Sequence, residues 1–586
     1  MREDEPPLVK ASHRLGEERA SVPRIVLPIT SRGVVVTDRL CWGVLGVAMA
    51  LAAGLILYLN RGTTFFLDEL AWFQSSPGLG AGDVLDSHGG HLIATTRVAY
   101  KAILETFGGD YLVFRLLTVL TLLAAAALFY ELVKRRIGAL PALAPTLVLL
   151  FFGSSWEHVV IPFAFSVVLS IAAGLGALLS LDRSDRRGDL AACALTTLAV
   201  VSHTTGLAFL VGVAISVLIR PDRRQRAWIF LIPFALYSAW WLWSLSEPGS
   251  AGTQVNFSNV LLIPSYVAES LAVVTAALLG LSYNFADPVL EPPELGWGRV
   301  LAVVAIVALA LRIRRGHLDR SLWVSLGIVT SLWVLGTLGF GLFRPPTAVR
   351  YIYAGAIGVL LVATDAARSI RFSRLGLAVL FGVCAFSLAT NLALMRDGAS
   401  FFRNQYSIPA RAQLAALELA RPHADPGFDP GVAVPDVAPH NQFRAPAVTY
   451  FPAVDRYGSP AFSLSELARQ SESARQGGDQ VLASALGIRL EPLPSREAAG
   501  RCKRLTSEQP GAPISFRMPR EGASLRTRSA APATVAVGRF ASSPSAEVGS
   551  LSPGQTAMLK LPVDPSPTRW HTSITGASSV EICRLP

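Results

Sequence analysis

Apolar residues form long unbroken blocks along the first two thirds of this chain and short alternating runs along its last hundred residues. The first block covers 39–59, and at about 1.5 Å per residue a helix of that length crosses a hydrocarbon layer of about 30 Å. Further blocks lie at 111–131, 140–155, 161–181, 190–203, 205–219, 227–246, 299–313, 321–343, 351–367 and 374–395. Several are short for a full span, so tilted or broken helices are expected. The pair 190–203 and 205–219, parted by Ser202-His203-Thr204-Thr205-Gly206, reads as two short spans or one helical hairpin. The stretch 258–281 is apolar but interrupted by Pro264 and Glu269. After Met395 the texture changes. Helical patterns near 410–421 and 463–485 flank Pro/Gly/Asp loops. From about 490 short alternating runs broken by Gly, Pro and Ser predict the strands of a small β-sandwich. The expected organisation is a polar tail over 1–38 and a membrane domain over 39–395, with a first outer loop at 60–110. An α/loop region at 396–489 and a sandwich-like domain at 490–586 complete it.

Composition sharpens this picture. A chain of 586 residues suggests about four soluble domains. Yet 51% of it is hydrophobic and only 16% charged, with a mean hydropathy of +0.44. Those figures exclude collagen-like, disordered and disulfide-framework classes and predict a polytopic α-helical membrane protein of about eleven spans. The first apolar block starts only near Leu40, so no cleavable signal peptide is expected. The net charge of +11 invites a nucleic-acid reading until the charges are placed. Lys134-Arg135-Arg136, Arg183 to Arg187, Arg220 to Arg226, Arg312 to Arg320 and Arg368 to Arg374 occupy alternate loops, whereas 247–298 contains no Lys or Arg. By the positive-inside rule those loops are cytoplasmic. Eleven crossings with the amino end inside satisfy every cluster, provided that 258–281 lies at the outer surface or re-enters. The charge is topological, and no nucleic acid is implied. Of the 52 basic residues only five are Lys, an imbalance that points to a GC-rich bacterial genome. Cys41, Cys193 and Cys384 fall in apolar blocks as small core residues. Cys502 and Cys583 bracket the sandwich on the oxidising side, where a disulfide joining its first and last strands is expected. Trp570 is that domain's one obvious stacking surface for a sugar.

Candidate chemistry gathers in the outer loops. Asp68 and Glu69 sit in an apolar segment just past the first span, and on a helix Asp68 shares a face with Trp72. A carboxylate beside an aromatic plate suits sugar handling; a helix N-terminus whose acids complement its dipole is the plainer alternative. Asp86, His88 and His91 have residue types that bind a divalent metal, but in an irregular spacing that equally serves polar substrate contacts. Trp156, Glu157 and His158 bring another aromatic and another acid to the same side. Trp156 by itself reads as an interfacial anchor. Arg350-Tyr351 opens the tenth span at its outer end, where an Arg grips an anionic group or snorkels towards lipid phosphates. Arg115, just inside the second span, is a costly charge and so a functional candidate.

Taken in order, these features resemble a family. A short lead and a first span are followed by an acidic pair in a large outer loop, His88-Gly-Gly-His91, Gly109-Asp-Tyr-Leu-Val-Phe-Arg115, a late Arg350-Tyr351 and an outer carboxy-terminal domain. That series is similar to the GT-C superfamily of polyprenyl-phosphate-sugar-dependent glycosyltransferases, which includes protein O-mannosyltransferases and the lipid A aminoarabinose transferase. The resemblance covers 39–395. It implies a GT-C-like fold in a bacterial plasma membrane, and inverting sugar transfer from a polyprenyl-phosphate donor to an extracytoplasmic glycan, lipid or protein. It also implies that Asp68 or Glu69 is the catalytic base. Arg350, Tyr351 and Arg115 would hold the donor phosphate. Trp72, His88, His91, Trp156, Glu157 and His158 would contact substrate. The family's His-Pro-Pro segment is His88-Gly-Gly-His91 here, a departure that bears on substrate contacts. The resemblance fixes no cofactor and allows a divalent metal. Two other classes compete: a transporter or flippase of lipid-linked substrates, and a surface-assembly protein anchored by its spans.

Overall fold

The computed structural model describes residues 26–27, 34–35, 37–247, 255–281, 295–316, 319–339, 345–368, 370–434, 444–493, 501–509, 511–529, 531–562 and 568–585. Most of the polar amino-terminal tail and residues 248–254, 282–294 and 340–344 lie outside them. A two-stranded ladder, β1 (Val26–Leu27) with β2 (Val34–Val35), precedes the first helix. The membrane domain then runs α1 (Asp38–Leu59), α2 (Asp68–Ser75), α3 (Ala94–Phe107), α4 (Tyr111–Ile137), α5 (Ala139–Leu150), α6 (Trp156–Val160), α7 (Phe165–Leu181), α8 (Arg186–Ser202) and α9 (Gly206–Leu218). It continues with α10 (Arg223–Arg226), α11 (Trp228–Ser244), α12 (Ile263–Leu278), α13 (Gly296–Arg314), α14 (Arg320–Leu338), α15 (Val349–Ala366) and α16 (Arg374–Phe401). Polar residues flanking the apolar blocks set many of the starts. Thr37, Asp110, Asp185, Asp319 and Ser373 each cap a helix by accepting a backbone N–H of its first turn.

The basic loops gather at one end of the bundle. Lys134 pairs with Asp38 at 3.2 Å, Arg135 with Asp182 at 3.4 Å and Arg136 with Asp365 at 3.0 Å; Arg226 pairs with Asp189 and Arg368 with Asp319. The Arg136–Asp365 pair is buried, and Asp365 also accepts from Ser321 and Ser325 at 2.6 Å each, the full satisfaction that a buried pair needs. Arg226, beyond the end of α9, meets Asp189 in the first turn of α8, and Arg220 bonds the Leu181 carbonyl at 3.2 Å. Both outer ends of the α8–α9 pair therefore lie at the basic end, which makes the pair a hairpin with His203 at its opposite tip.

Among the described residues eight helices are long and apolar enough to cross a membrane, or nine if α5 and the bent 153–160 segment form one span. The expected count of about eleven also takes in shorter apolar helices that run between the same two ends. Three of the expected spans fall on α8, α9 and α11, of 17, 13 and 17 residues. An apolar block records burial, and α9 is buried by protein: Gly212 packs on Ile328, and Gly327 on Ile215. Conversely, 257–278 is long and apolar enough to span. Its start is tied to the far end of α14 by Asn256 N–H to the Leu338 carbonyl (2.8 Å), and its end to mid-α16 by Ser387 to the Leu278 carbonyl (2.8 Å). Arg299 at the start of α13 lies 3.8 Å from Glu269 in the first half of α12, and Arg312 near its other end bonds the Ala366 carbonyl at the basic end. The start of α12 is thus on the side away from the basic loops, its end reaches only the middle of α16, and α13 starts beside it, as expected of a re-entrant segment.

At that far end α16 continues through a wide turn at 402–407 into α17 (Ile408–Ala420), followed by α18 (Pro430–Ala433), α19 (Ala447–Tyr457), α20 (Leu464–Leu467) and α21 (Glu472–Ala485). The carboxy-terminal strands are β3 (Leu490–Pro492), β4 (Cys502–Thr506), β5 (Ile514–Arg517), β6 (Gly522–Arg528), β7 (Ala533–Gly538), β8 (Ala546–Leu551), β9 (Thr556–Lys560), β10 (His571–Thr575) and β11 (Ser579–Arg584). They form two antiparallel sheets, β5-β10-β7-β8 and β3-β9-β6-β11-β4. Val535, Val537 and Ile574 of one sheet share a core with Leu525, Leu559 and Val580 of the other, so the sheets face each other as an open sandwich. Cys502 and Cys583 lie opposite each other in β4 and β11 and are joined by a disulfide. The bond therefore links the last strand to an adjacent edge strand, not to β3, the first. Trp570 is buried beneath the Arg539 guanidinium, 4.6 Å from its ring, and offers no face to a sugar.

Candidate active site

The segment after α1 is pinned by two aromatic side chains. Phe65 packs on Phe73, Tyr111 and Phe114, and Phe66 on Phe402 and Tyr406. Held at both sides, Leu67 takes φ 35°, an uncommon conformation for a side chain of its kind. The next residue, Asp68, opens α2. The two acids then part company. Glu69 is fully buried and accepts Tyr100 Oη at 2.6 Å, Tyr111 Oη at 2.7 Å and the Phe66 N–H at 3.0 Å. Asp68 turns the other way, with its side chain half exposed and Oδ1 at 3.2 Å from His88 Nε2.

His88 and His91 face each other across a two-residue turn. Their backbones exchange hydrogen bonds at 3.0 and 2.9 Å, and Gly89 and Gly90 have φ of 54° and 84°, which side chains rarely tolerate. Residues opposite each other in such a turn project to one side. The His88 ring meets Trp72 edge-on at 5.4 Å, and the His91 ring stacks on His203 at 4.4 Å with Nδ1 2.6 Å from Thr204 Oγ1.

These groups line a cavity of about 420 Å³ at the end of the bundle opposite the basic loops. Asp68, Trp72, His88 and His91 form one wall, with His158, His203, Arg350 and Tyr351 among the facing residues. Tyr266 and Val274 of α12 and Leu332 and Trp333 of α14 give its membrane-side wall an apolar character. Of the residues singled out from the sequence, Asp68, Trp72, His88, His91, His158, Arg350 and Tyr351 converge here. The others do not line it. Arg115 donates to the Asn60 carbonyl at 2.7 Å, bracing the end of α1. Trp156 is core, packed on Gly398, where an added Cβ would meet its ring at 2.2 Å; it is not an interfacial anchor. Glu157 lies just outside the lining, within electrostatic reach of Arg350. Asp86 turns to Arg97 at 3.7 Å, and among the described residues no three His, Cys, Asp or Glu side chains converge as a metal site. His203 and Tyr266 were missed. A His between two short apolar blocks was the available signal for the first; for Tyr266 there was none.

Burial pushes the Glu69 carboxyl up to about 7, against the pull of its hydrogen bonds from Tyr100, Tyr111 and Phe66. Its ordinary value is 4.5. The folded chain therefore keeps a proton there that the unfolded chain has lost, so its stability contribution is greatest below 4.5 and declines as pH rises towards 7. Glu69→Gln cannot titrate. The melting-temperature advantage of the natural protein over Glu69→Gln should shrink between pH 5 and 7, measured by thermal melts in detergent; a constant difference would contradict this role for burial.

No protein-family model matches the chain, and no curated protein matches it. Among solved structures, ArnT from Cupriavidus metallidurans, crystallised bound to undecaprenyl phosphate, aligns with a TM-score of 0.42 at 13% identity, over 66% of this chain and 82% of that one. At this similarity no residue role passes from ArnT to this chain.

Proposed function

We propose that the protein is a GT-C-type membrane glycosyltransferase that moves a sugar from a polyprenyl-phosphate donor to an acceptor hydroxyl. The observation that carries this reading is the single cavity that Asp68 and Arg350 share at the end remote from the basic loops. With those loops cytoplasmic, the cavity opens at the outer face of a bacterial plasma membrane and the sandwich is extracytoplasmic. Asp68 takes the proton of the acceptor hydroxyl as its oxygen bonds to the anomeric carbon. The bond from that carbon to the phosphate oxygen breaks, and the lipid phosphate leaves as an anion. In-line attack inverts the anomeric centre. One carboxylate and one cation suffice, because phosphate needs no acid to depart. Arg350 stabilises the charge that develops on the phosphate, and the apolar wall of α12 and α14 suits the lipid end of the donor. The acceptor is a cell-wall glycan, a lipid or a protein.

Arg350→Lys keeps the charge but loses the planar fork that grips two phosphate oxygens. It should weaken binding of undecaprenyl phosphate about tenfold or more, the worth of one charge-assisted hydrogen bond. Titration by calorimetry in detergent checks this. Unchanged affinity would make Arg350 an ordinary interfacial residue.

A further inference from the structure

His158 is 2% exposed yet lines the cavity. For a neutral ring, the shorter of two Ser155 contacts assigns its tautomer. Ser155 has one hydroxyl hydrogen and donates it to the Val349 carbonyl at 2.7 Å. The Ser155 oxygen can then only accept, so His158 Nδ1, 3.3 Å away, carries the ring proton. Nε2 is left bare, a hydrogen-bond acceptor. Tyr353 lies nearly parallel to the ring, with centroids 6.2 Å apart and planes 16° apart, and Phe163 packs at 6.4 Å, which hold its orientation. Val349 precedes Arg350, so Ser155 ties this nitrogen to the stretch of α15 that presents the guanidinium.

We propose that His158 Nε2 accepts a hydrogen bond from a hydroxyl or amide N–H of the transferred sugar and so selects for sugars that carry one there. This rests on the glycosyltransferase reading and deepens it. A sugar phosphodiester near neutral pH carries no hydrogen on its phosphate oxygens, and a bare imidazole nitrogen repels them. The phosphate therefore belongs to Arg350 and the neighbouring sugar to His158. Next to the anomeric carbon stand the ring oxygen, which has no hydrogen to give, and the substituent on C2. An acceptor-only ring that shares the cavity with Arg350, within its electrostatic reach, reads that C2 substituent. The sugar class is one with a hydroxyl or an amide there, and 2-deoxy sugars are disfavoured.

The test measures binding of undecaprenyl phosphate, of its glucose, mannose, arabinose and N-acetylglucosamine derivatives, and of the 2-deoxy analogue of whichever binds most tightly. The natural protein, His158→Phe and Ser155→Ala are compared in nanodiscs. The natural protein should prefer the tightest sugar lipid over its 2-deoxy analogue roughly 3- to 10-fold, the worth of one neutral hydrogen bond. His158→Phe should erase that ratio while binding undecaprenyl phosphate within about twofold of the natural protein. Ser155→Ala leaves the ring in place but frees its tautomer, and should reduce the ratio in part. A ratio that survives His158→Phe, or no ratio in the natural protein, overturns the proposal. Failure of the natural protein to bind even undecaprenyl phosphate overturns the glycosyltransferase reading itself and this proposal with it.

Discussion

Asp68→Asn should lower the turnover of sugar transfer by at least about a hundredfold, the usual worth of a positioned general base, with little change in the apparent affinity for either substrate. The substitution keeps the shape of the side chain and its place beside His88, 3.2 Å away, but an amide cannot take a proton from the acceptor hydroxyl. Because the Asp68 side chain is half exposed and Glu69 supplies the buried contacts of the same turn, thermal stability should be unaltered. A loss of rate without a loss of fold is what separates a base from a structural acid. Turnover within about twofold of the natural protein would remove Asp68 from the chemistry, since no general base contributes so little.

The largest structural effect is expected at Gly153. An added Cβ there would lie 1.8 Å from the Asn391 carbonyl oxygen and 2.4 Å from the Met395 nitrogen. Both are backbone atoms of α16 and cannot swing aside. Next to them, the Ser154 N–H and hydroxyl both donate to Asn391 Oδ1 at 2.9 and 2.8 Å, and Asn391 Nδ2 donates to the Ala277 carbonyl at 3.2 Å. One contact thus knits α16, the end of α12 and the loop that carries Ser155 and His158. Gly153→Ala should cost about 1–3 kcal/mol, as overpacked cores do, and should lower activity by displacing His158. Gly43→Ala, where nothing lies within 4 Å, is the control and should leave both properties intact. Equal melting temperatures for the two variants in detergent would contradict this packing.

Much of the bundle was legible because a membrane imposes its thickness on the sequence. Apolar blocks marked the long spans, and the basic loops that alternate between them meet at one end through the Arg136–Asp365 and Arg368–Asp319 pairs. Asp68, His88, His91, His158 and Arg350 were legible as polar residues at the far ends of those blocks, where a charge or an imidazole needs a reason. What escaped depends on long-range contacts. Glu69 and Asp68 are adjacent and chemically alike, and only the positions of Tyr100 and Tyr111 bury one and leave the other at the cavity. Trp156 looked like an interfacial anchor because its partner, Gly398, lies more than two hundred residues away. His203 reaches the site through the α8–α9 hairpin, whose other end is joined by Arg226 and Asp189, 37 residues apart. Hydropathy alone could not tell a buried Trp570 from an exposed one; for α12 it was the placement of the basic loops, not hydropathy, that pointed to the outer surface or re-entry.

The central claim is that a covalent bond to the sugar is exchanged at this cavity. The most direct measurement follows undecaprenyl-phosphate sugars radiolabelled in the sugar, in proteoliposomes holding the purified protein and an extract of cell-envelope acceptors. Label should pass from the lipid to an acceptor, with undecaprenyl phosphate released in equal amount, for the natural protein and not for Asp68→Asn. Label that crosses the bilayer still joined to its lipid, with no transfer and no difference between the two proteins, would contradict the account and make the protein a transporter.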